Sequence, residues 1–168
     1  MVKGNWAVFD EEFSTMTVIL TALMRSGGAR SAMLVDKTGQ LINSVGEPPG
    51  FDVISFSSLA AADFSANEML ASMIGEKDFS TLVHQGTNHS LFLSKIATGI
   101  ILVVIFDKKT SLGLVRLKAR RAAEELVLVL EKVYNKVQYK NPEEAMTKNL
   151  GKDFQTEAES EIDSLFKD

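Results

Sequence analysis

Seven consecutive large apolar residues, Ile100 to Phe106, leave no polar face on the segment they form. A strand without alternation is covered on both sides, so this one is predicted to lie in the middle of a sheet with helices or a partner subunit over each face. Elsewhere the apolar positions are periodic. Phe9, Phe13, Met16, Leu20, Leu23 and Met24 recur at spacings of three and four and predict a helix from about Asp10 to Ser26. Asp10, Glu11 and Glu12 open it and Arg25 closes it, in the sense the helix dipole favours, and Gly27 and Gly28 stop it. Ala29 to Val35 and Gln40 to Val45 predict two strands joined by Asp36-Lys-Thr-Gly39, in which Asp opens the turn and Gly supplies a positive φ. Gly46-Glu-Pro-Pro-Gly50 then breaks regular structure.

A second helix, from about Ser55 to Ile74, has two apolar sides. Leu59, Ala62, Ala66, Met69, Leu70 and Met73 fall within one stripe. The other side carries Ala60, Ala61, Phe64, Glu68, Ala71 and Ser72, mostly small residues where a solvated helix shows Lys and Glu. Three readings of that small-residue face stand side by side: packing inside its own subunit, against a second copy, or against another protein. Three strands follow, Thr81 to Gln85, Ser90 to Ile96 and Ile100 to Phe106, with hairpin-short connections. The last long helix starts near Ser111 and runs to about Gln138. Its buried side is predicted to hold Leu112, Val115, Ala119, Ala122, Leu126, Val129, Leu130, Val133 and Val137.

The expected architecture is α+β: one domain over 9–138 in the order helix-strand-strand-helix-strand-strand-strand-helix, its five-stranded, mainly antiparallel sheet flanked by helices on both faces. An N-terminal extension covers 1–8. Tyr139 to Thr156 is polar and aperiodic and reads as a linker. In the last segment, 157–168, Ala158, Ile162, Leu165 and Phe166 fall at i, i+4, i+7 and i+8 among Glu159, Glu161 and Asp163, which predicts a short amphipathic helix suited to the globular body or to a groove on a partner.

Composition narrows the function classes. With 168 residues, 45% of them apolar, the chain suffices for one domain with a substantial core. A net charge of −4 lacks the positive field that nucleic acid requires. The absence of cysteine removes disulfides, thiolate metal sites and thiol nucleophiles together. Apolar runs fall far short of the ~18 residues of a membrane span, and the first residues do not resemble a signal peptide, so a soluble cytoplasmic protein is expected. No Gly-rich phosphate loop ending in Lys-Ser or Lys-Thr is present, and no catalytic constellation, metal site or cofactor site is expected. His84 and His89 flank a hairpin without the carboxylate or cysteine partners a zinc site wants. Arg116, Lys118, Arg120 and Arg121 could include an arginine finger, but Arg120 and Arg121 each precede a glutamate by four residues, which favours a salt-bridged, solvated face.

The element order, with Leu34-Val-Asp-Lys-Thr-Gly-Gln-Leu-Ile42 and Val103-Val-Ile-Phe-Asp-Lys-Lys-Thr-Ser-Leu-Gly-Leu-Val-Arg-Leu117, closely resembles the bacterial Roadblock family in its MglB branch. The resemblance spans roughly Phe9 to Gln138, and Glu161-Ile-Asp-Ser-Leu-Phe166 looks like the acidic, apolar helix that ends such chains. It implies a homodimer whose sheets join at the third strand, with Thr81, Leu82, Val83, His84 and Gln85 at the dimer edge. It also implies regulation of an MglA-type Ras-like small GTPase: hydrolysis stimulated by positioning the GTPase's own groups, without a finger, in bacterial polarity or motility and with possible recruitment to a cell pole. The implied GTPase-facing helix contains Ala61, Ala62, Ser65 and Ala66, with Phe64, Glu68 and Met69 beside them, and Ile162, Leu165 and Phe166 of the final helix modulate binding or exchange. A non-catalytic dimerisation scaffold of the dynein light chain type is the rival expectation.

Overall fold

The computed structural model describes residues 10–47, 50–97 and 99–140. The N-terminal extension, the linker from 141 onward and the final segment with Ile162, Leu165 and Phe166 lie outside the described residues. Eight elements follow in the predicted order: α1 Asp10–Gly27, β1 Ser31–Asp36, β2 Leu41–Gly46, α2 Val53–Met73, β3 Thr81–Gln85, β4 His89–Ala97, β5 Ile100–Asp107 and α3 Leu112–Lys140. The chain divides after Leu130 into two compact units, so the last turns of α3 belong to the second.

The sheet has the order β2-β1-β5-β4-β3, and β1–β2, β1–β5, β3–β4 and β4–β5 all pair antiparallel. The uninterrupted apolar strand β5 is therefore central, as its pattern requires. Its residues alternate between two cores. Ile101, Val103 and Ile105 join Met33, Val35 and Leu93 beneath α2. Leu102, Val104 and Phe106 face the other way with Ala32 and Leu34, on the side covered by α1 and the first turns of α3. Asn43 of β2 fixes α1 to that side, its Nδ2 donating to the Phe13 carbonyl (3.2 Å) and to Thr17 Oγ1 (2.9 Å). Thr110 Oγ1 donates to the Gly27 carbonyl (2.7 Å), which pins the start of α3 to the end of α1.

The Asp36–Gly39 turn forms as its residue types dictate. Asp36 Oδ1 accepts hydrogen bonds from Thr38 N, Thr38 Oγ1 and Gln40 N, and Gly39 adopts φ +90°. Gly39 is also held by space, since a Cβ there would lie 2.7 Å from Ser58 Cα.

The helices bury themselves as predicted at α1 and over most of α3. Met16, Ile19, Leu20 and Leu23 are buried on α1, although Phe13 is 40% exposed; on α3 the buried set is Val115, Ala119, Ala122, Leu126, Val129 and Leu130, while Val137 near its end is exposed. α2 does the reverse of what its large residues suggest. Ser57, Ala60, Ala61, Phe64, Asn67 and Ala71 face the sheet, and the large apolar stripe points away from it. The reason is volume. Met33, Val35, Leu93, Ile101, Val103 and Ile105 already fill that face, so the helix settles close only through small side chains and one phenylalanine.

Candidate functional site

Two adjoining features are left open by the fold: the outer surface of α2 and the free edge of β3. α2 starts at Asp52, whose carboxylate accepts hydrogen bonds from Ile54 N and Ser55 N, both 3.2 Å, and from the Ser55 hydroxyl. These bonds, the Ser55 hydroxyl first, hold the Asp52 carboxyl below its ordinary value. From that cap the exposed surface separates into two stripes at i, i+4, i+7 and i+11. Leu59, Asp63, Ala66 and Leu70 form one, continued by Met73. Ser58, Ala62, Ser65 and Met69 form the other. Leu59 and Met69 are each 70% exposed and Met73 82%, against 2% for Phe64.

Hydrogen bonds and close approaches orient both stripes. Asp63 Oδ2 lies 2.6 Å from His84 Nε2, so the Leu59–Leu70 stripe faces the β3 side. Ser58 abuts Gly39, so the Ala62–Met69 stripe leans toward the β1–β2 turn. Lys95 of β4 clamps the helix farther along, its Nζ 3.1 Å from Glu68 Oε1 and 3.1 Å from Asp78 Oδ2. Those two carboxylates, Glu68 first, raise the Lys95 ammonium above its ordinary value.

β3 ends the sheet. Lys95 N donates to the Ser80 carbonyl and Gly86 N to the His89 carbonyl, both at 3.0 Å. With the register of β3 on β4, the antiparallel alternation turns the backbone N–H and C=O of Leu82 and His84 toward β4, and those of Thr81, Val83 and Gln85 outward. Among the described residues no strand pairs with that row.

The structure thus assembles only part of the predicted surface. Ala62, Ser65, Ala66 and Met69 are exposed together, and Thr81, Leu82, Val83, His84 and Gln85 form the sheet edge. Ala61 and Phe64, expected at the GTPase interface, do not lie on the exposed face: both are 2% exposed and fill the close α2–sheet contact. Glu68 is directed to Lys95 rather than outward. Leu59 and Leu70, which stood in the large stripe of the sequence, are exposed beside Ala62, Ser65, Ala66 and Met69, and sequence reasoning did not anticipate the ion pairs of Asp63, Asp78 and Lys95. Nothing local in the sequence signals those three pairings, which depend on how α2 crosses β3 and β4.

A cleft of about 700 Å³ lies at the far end of the sheet, lined by Arg25, Arg30, Glu47, Asp107 and Lys109 among others. Arg30 is held there by Glu47, with Asp107 at 3.6 Å and His89 Nε2 at 3.2 Å. Among the described residues no group of three or more His, Cys, Asp or Glu side chains could hold a metal ion, and no helix is long and apolar enough to cross a membrane.

Comparison with known proteins agrees with this geometry: the Roadblock/LC7 domain pattern matches residues 17–106. The chain belongs to the Roadblock/LC7 family. Among solved Roadblock structures it is similar to Myxococcus xanthus MglB, at 40% identity and a TM-score of 0.69, covering 72% of this chain and 98% of that one. The gliding protein MglB from Thermus thermophilus is 29% identical with a TM-score of 0.68, covering 72% and 92%. An uncharacterized protein of Methanocaldococcus jannaschii is 32% identical over 108 residues, 64% of this chain and 90% of its own length.

Proposed function

We propose that this Roadblock/LC7 chain acts as a homodimer that stimulates GTP hydrolysis by an MglA-type Ras-like GTPase, positioning groups that belong to the GTPase and contributing no catalytic residue itself. The observation that carries this reading is the apolar face of α2, left exposed beside an unpaired strand edge, in a chain 40% identical to an MglB. Two copies meeting edge to edge at β3 would pair the outward groups of Thr81, Val83 and Gln85 about a twofold axis near Val83. His84 and Asp63 tie α2 to the middle of that edge. The same association therefore brings the Leu59, Ala66 and Leu70 stripe of each copy toward its counterpart.

The second stripe stays free in that dimer. Ser58, Ala62, Ser65 and Met69 offer small side chains and one adaptable thioether, a surface a GTPase loop approaches closely. The final segment with Ile162, Leu165 and Phe166 adds an amphipathic contact that modulates binding or nucleotide exchange. Deleting 157–168 is expected to leave dimer and melting transition intact while altering GTPase affinity or exchange. The role belongs to bacterial polarity or motility.

GTP turnover by the cognate GTPase, measured with and without this protein, tests the reading. Acceleration that Ala62→Arg abolishes without disturbing the dimer supports it; no acceleration at saturating concentration sinks it. Binding that is indifferent to GDP or GTP would favour a Roadblock scaffold instead.

A further inference from the structure

From Lys108 to Arg121 the chain carries Lys108, Lys109, Arg116, Lys118, Arg120 and Arg121 and no acidic residue, in a protein whose net charge is −4. The structure gathers these cations on one corner. Thr110 pins the start of α3 to the end of α1, and Arg25 and Lys109 line a cleft there together with Arg30, Glu47 and Asp107. Arg25, Lys108, Lys109, Arg116 and Arg121 are exposed, and among the described residues none has an acidic partner; Arg120 alone reaches one, Glu124 at 3.6 Å. The expected pairing of Arg121 with Glu125 is not formed.

Folding does not account for these charges. α3 has no acidic residue in its first turn, and cations near a helix N-terminus oppose its dipole. Leu114 and Leu117 are exposed among them, 38% and 49%. Unpaired cations interleaved with exposed leucines on a convex helix are the pattern of a segment lying on an anionic interface. An acidic peptide would call instead for a groove lined by cations, and the cleft beside Arg25 and Lys109 also carries Glu47 and Asp107.

We propose that the α1–α3 corner binds an anionic phospholipid surface peripherally, a property beyond the GTPase regulation above. This corner lies on the sheet face opposite α2, so a bilayer and a GTPase can be engaged at once.

Cosedimentation of the full chain with phosphatidylcholine vesicles, with and without phosphatidylglycerol, tests the inference. Binding is expected only to the anionic vesicles and is lost at high salt. Each charge removed should weaken it about fivefold, so the combined variant Lys109→Ala, Arg116→Ala, Arg121→Ala should lose on the order of a hundredfold. Equal binding to neutral vesicles, or unchanged binding by the variant, overturns the proposal. So does a wild-type chain that ignores both vesicles and is retained by polyglutamate, which would assign the corner to an acidic protein. The variant's stimulation of GTP turnover, measured without lipid, should match wild type, which separates this test from that of the GTPase reading.

Discussion

Over one face of the sheet α3 buries Val115, Leu126 and Val129 and turns Arg116, Arg120 and Arg121 outward. Over the other, α2 buries Ala60, Ala61 and Ala71 around Phe64 and turns Leu59, Met69, Leu70 and Met73 outward. The first arrangement buries most of its large apolar side chains and turns charges outward, with Leu114 and Leu117 exposed among them. The second exposes more large apolar side chains than it buries, which isolated folding does not reward. The contrast separates the part of the chain that its own fold completes from the part that the proposed dimer and GTPase would cover.

The strongest way to break that comparison is to attack the single large residue that α2 does bury. Phe64→Ala should destabilise the protein by about 3–5 kcal/mol, comparable to the 2–5 kcal/mol expected for Leu126→Ala on α3. Leu70→Asp, on the exposed stripe, should change monomer stability by less than about 0.5 kcal/mol. On the dimer proposed above, its effect should appear in sedimentation velocity as loss of that dimer. Urea denaturation of the three variants checks the ranking, and a Leu70→Asp variant as unstable as Phe64→Ala would show that the stripe is core after all.

The strand edge admits a sharper test. Val83→Pro removes an N–H that points away from β4, so the ladder survives and only the proposed edge pairing with a second copy would be lost. Leu82→Pro removes an N–H bonded to β4 and should cost about 3 kcal/mol or more of monomer stability. Circular dichroism melts and sedimentation of the pair distinguish a free edge from a covered one; identical unfolding of both variants would refute the register.

Much of this contrast was legible in the sequence, and its sign at α2 was not. The elements stand close to the predicted positions because their boundaries rest on local chemistry: Asp36 and Gly39 in the turn, acidic residues opening α1, Gly27 and Gly28 closing it. β5 revealed its central place because a strand of seven apolar residues has no solvent face to offer. Periodicity at α2 fixes the angle between Phe64 and Leu70 but does not say which of them meets the sheet. That choice was made by Met33, Leu93, Val103 and Ile105, residues distant in sequence whose bulk leaves room only for small neighbours. One local sign existed: Asn67 belongs to the small-residue face, and its Nδ2 finds the Phe79 carbonyl 3.3 Å away at the end of the following loop.

The clamp that holds this face down is ionic. Lys95→Met removes both the Glu68 and the Asp78 pair, and since all three side chains are partly exposed the loss should be about 1 kcal/mol. The raised Lys95 value sets the direction with pH: its contribution is fully present below the ordinary lysine value of 10.5 and disappears as pH rises through the higher folded value. Alkaline melts of wild type and Lys95→Met should therefore converge.

The two helix caps give the smallest and cleanest comparison. α2 begins on a carboxylate, Asp52, and α3 on a hydroxyl, Ser111, whose Oγ accepts from Leu114 N at 3.2 Å. Substituting either cap by alanine should lower stability, but only one of them titrates. Because Asp52 is held below its ordinary value of 3.8, its contribution is complete above that value and fades as pH falls through the lower folded one. Asp52→Asn keeps a capping oxygen and removes the charge, so it should flatten the acid limb of the stability curve, while Ser111→Ala should shift the whole curve down by the same amount at every pH. If Asp52→Asn and wild type lose stability in parallel on acidification, the carboxylate that matters lies elsewhere, and the difference between the two helices is one of packing alone.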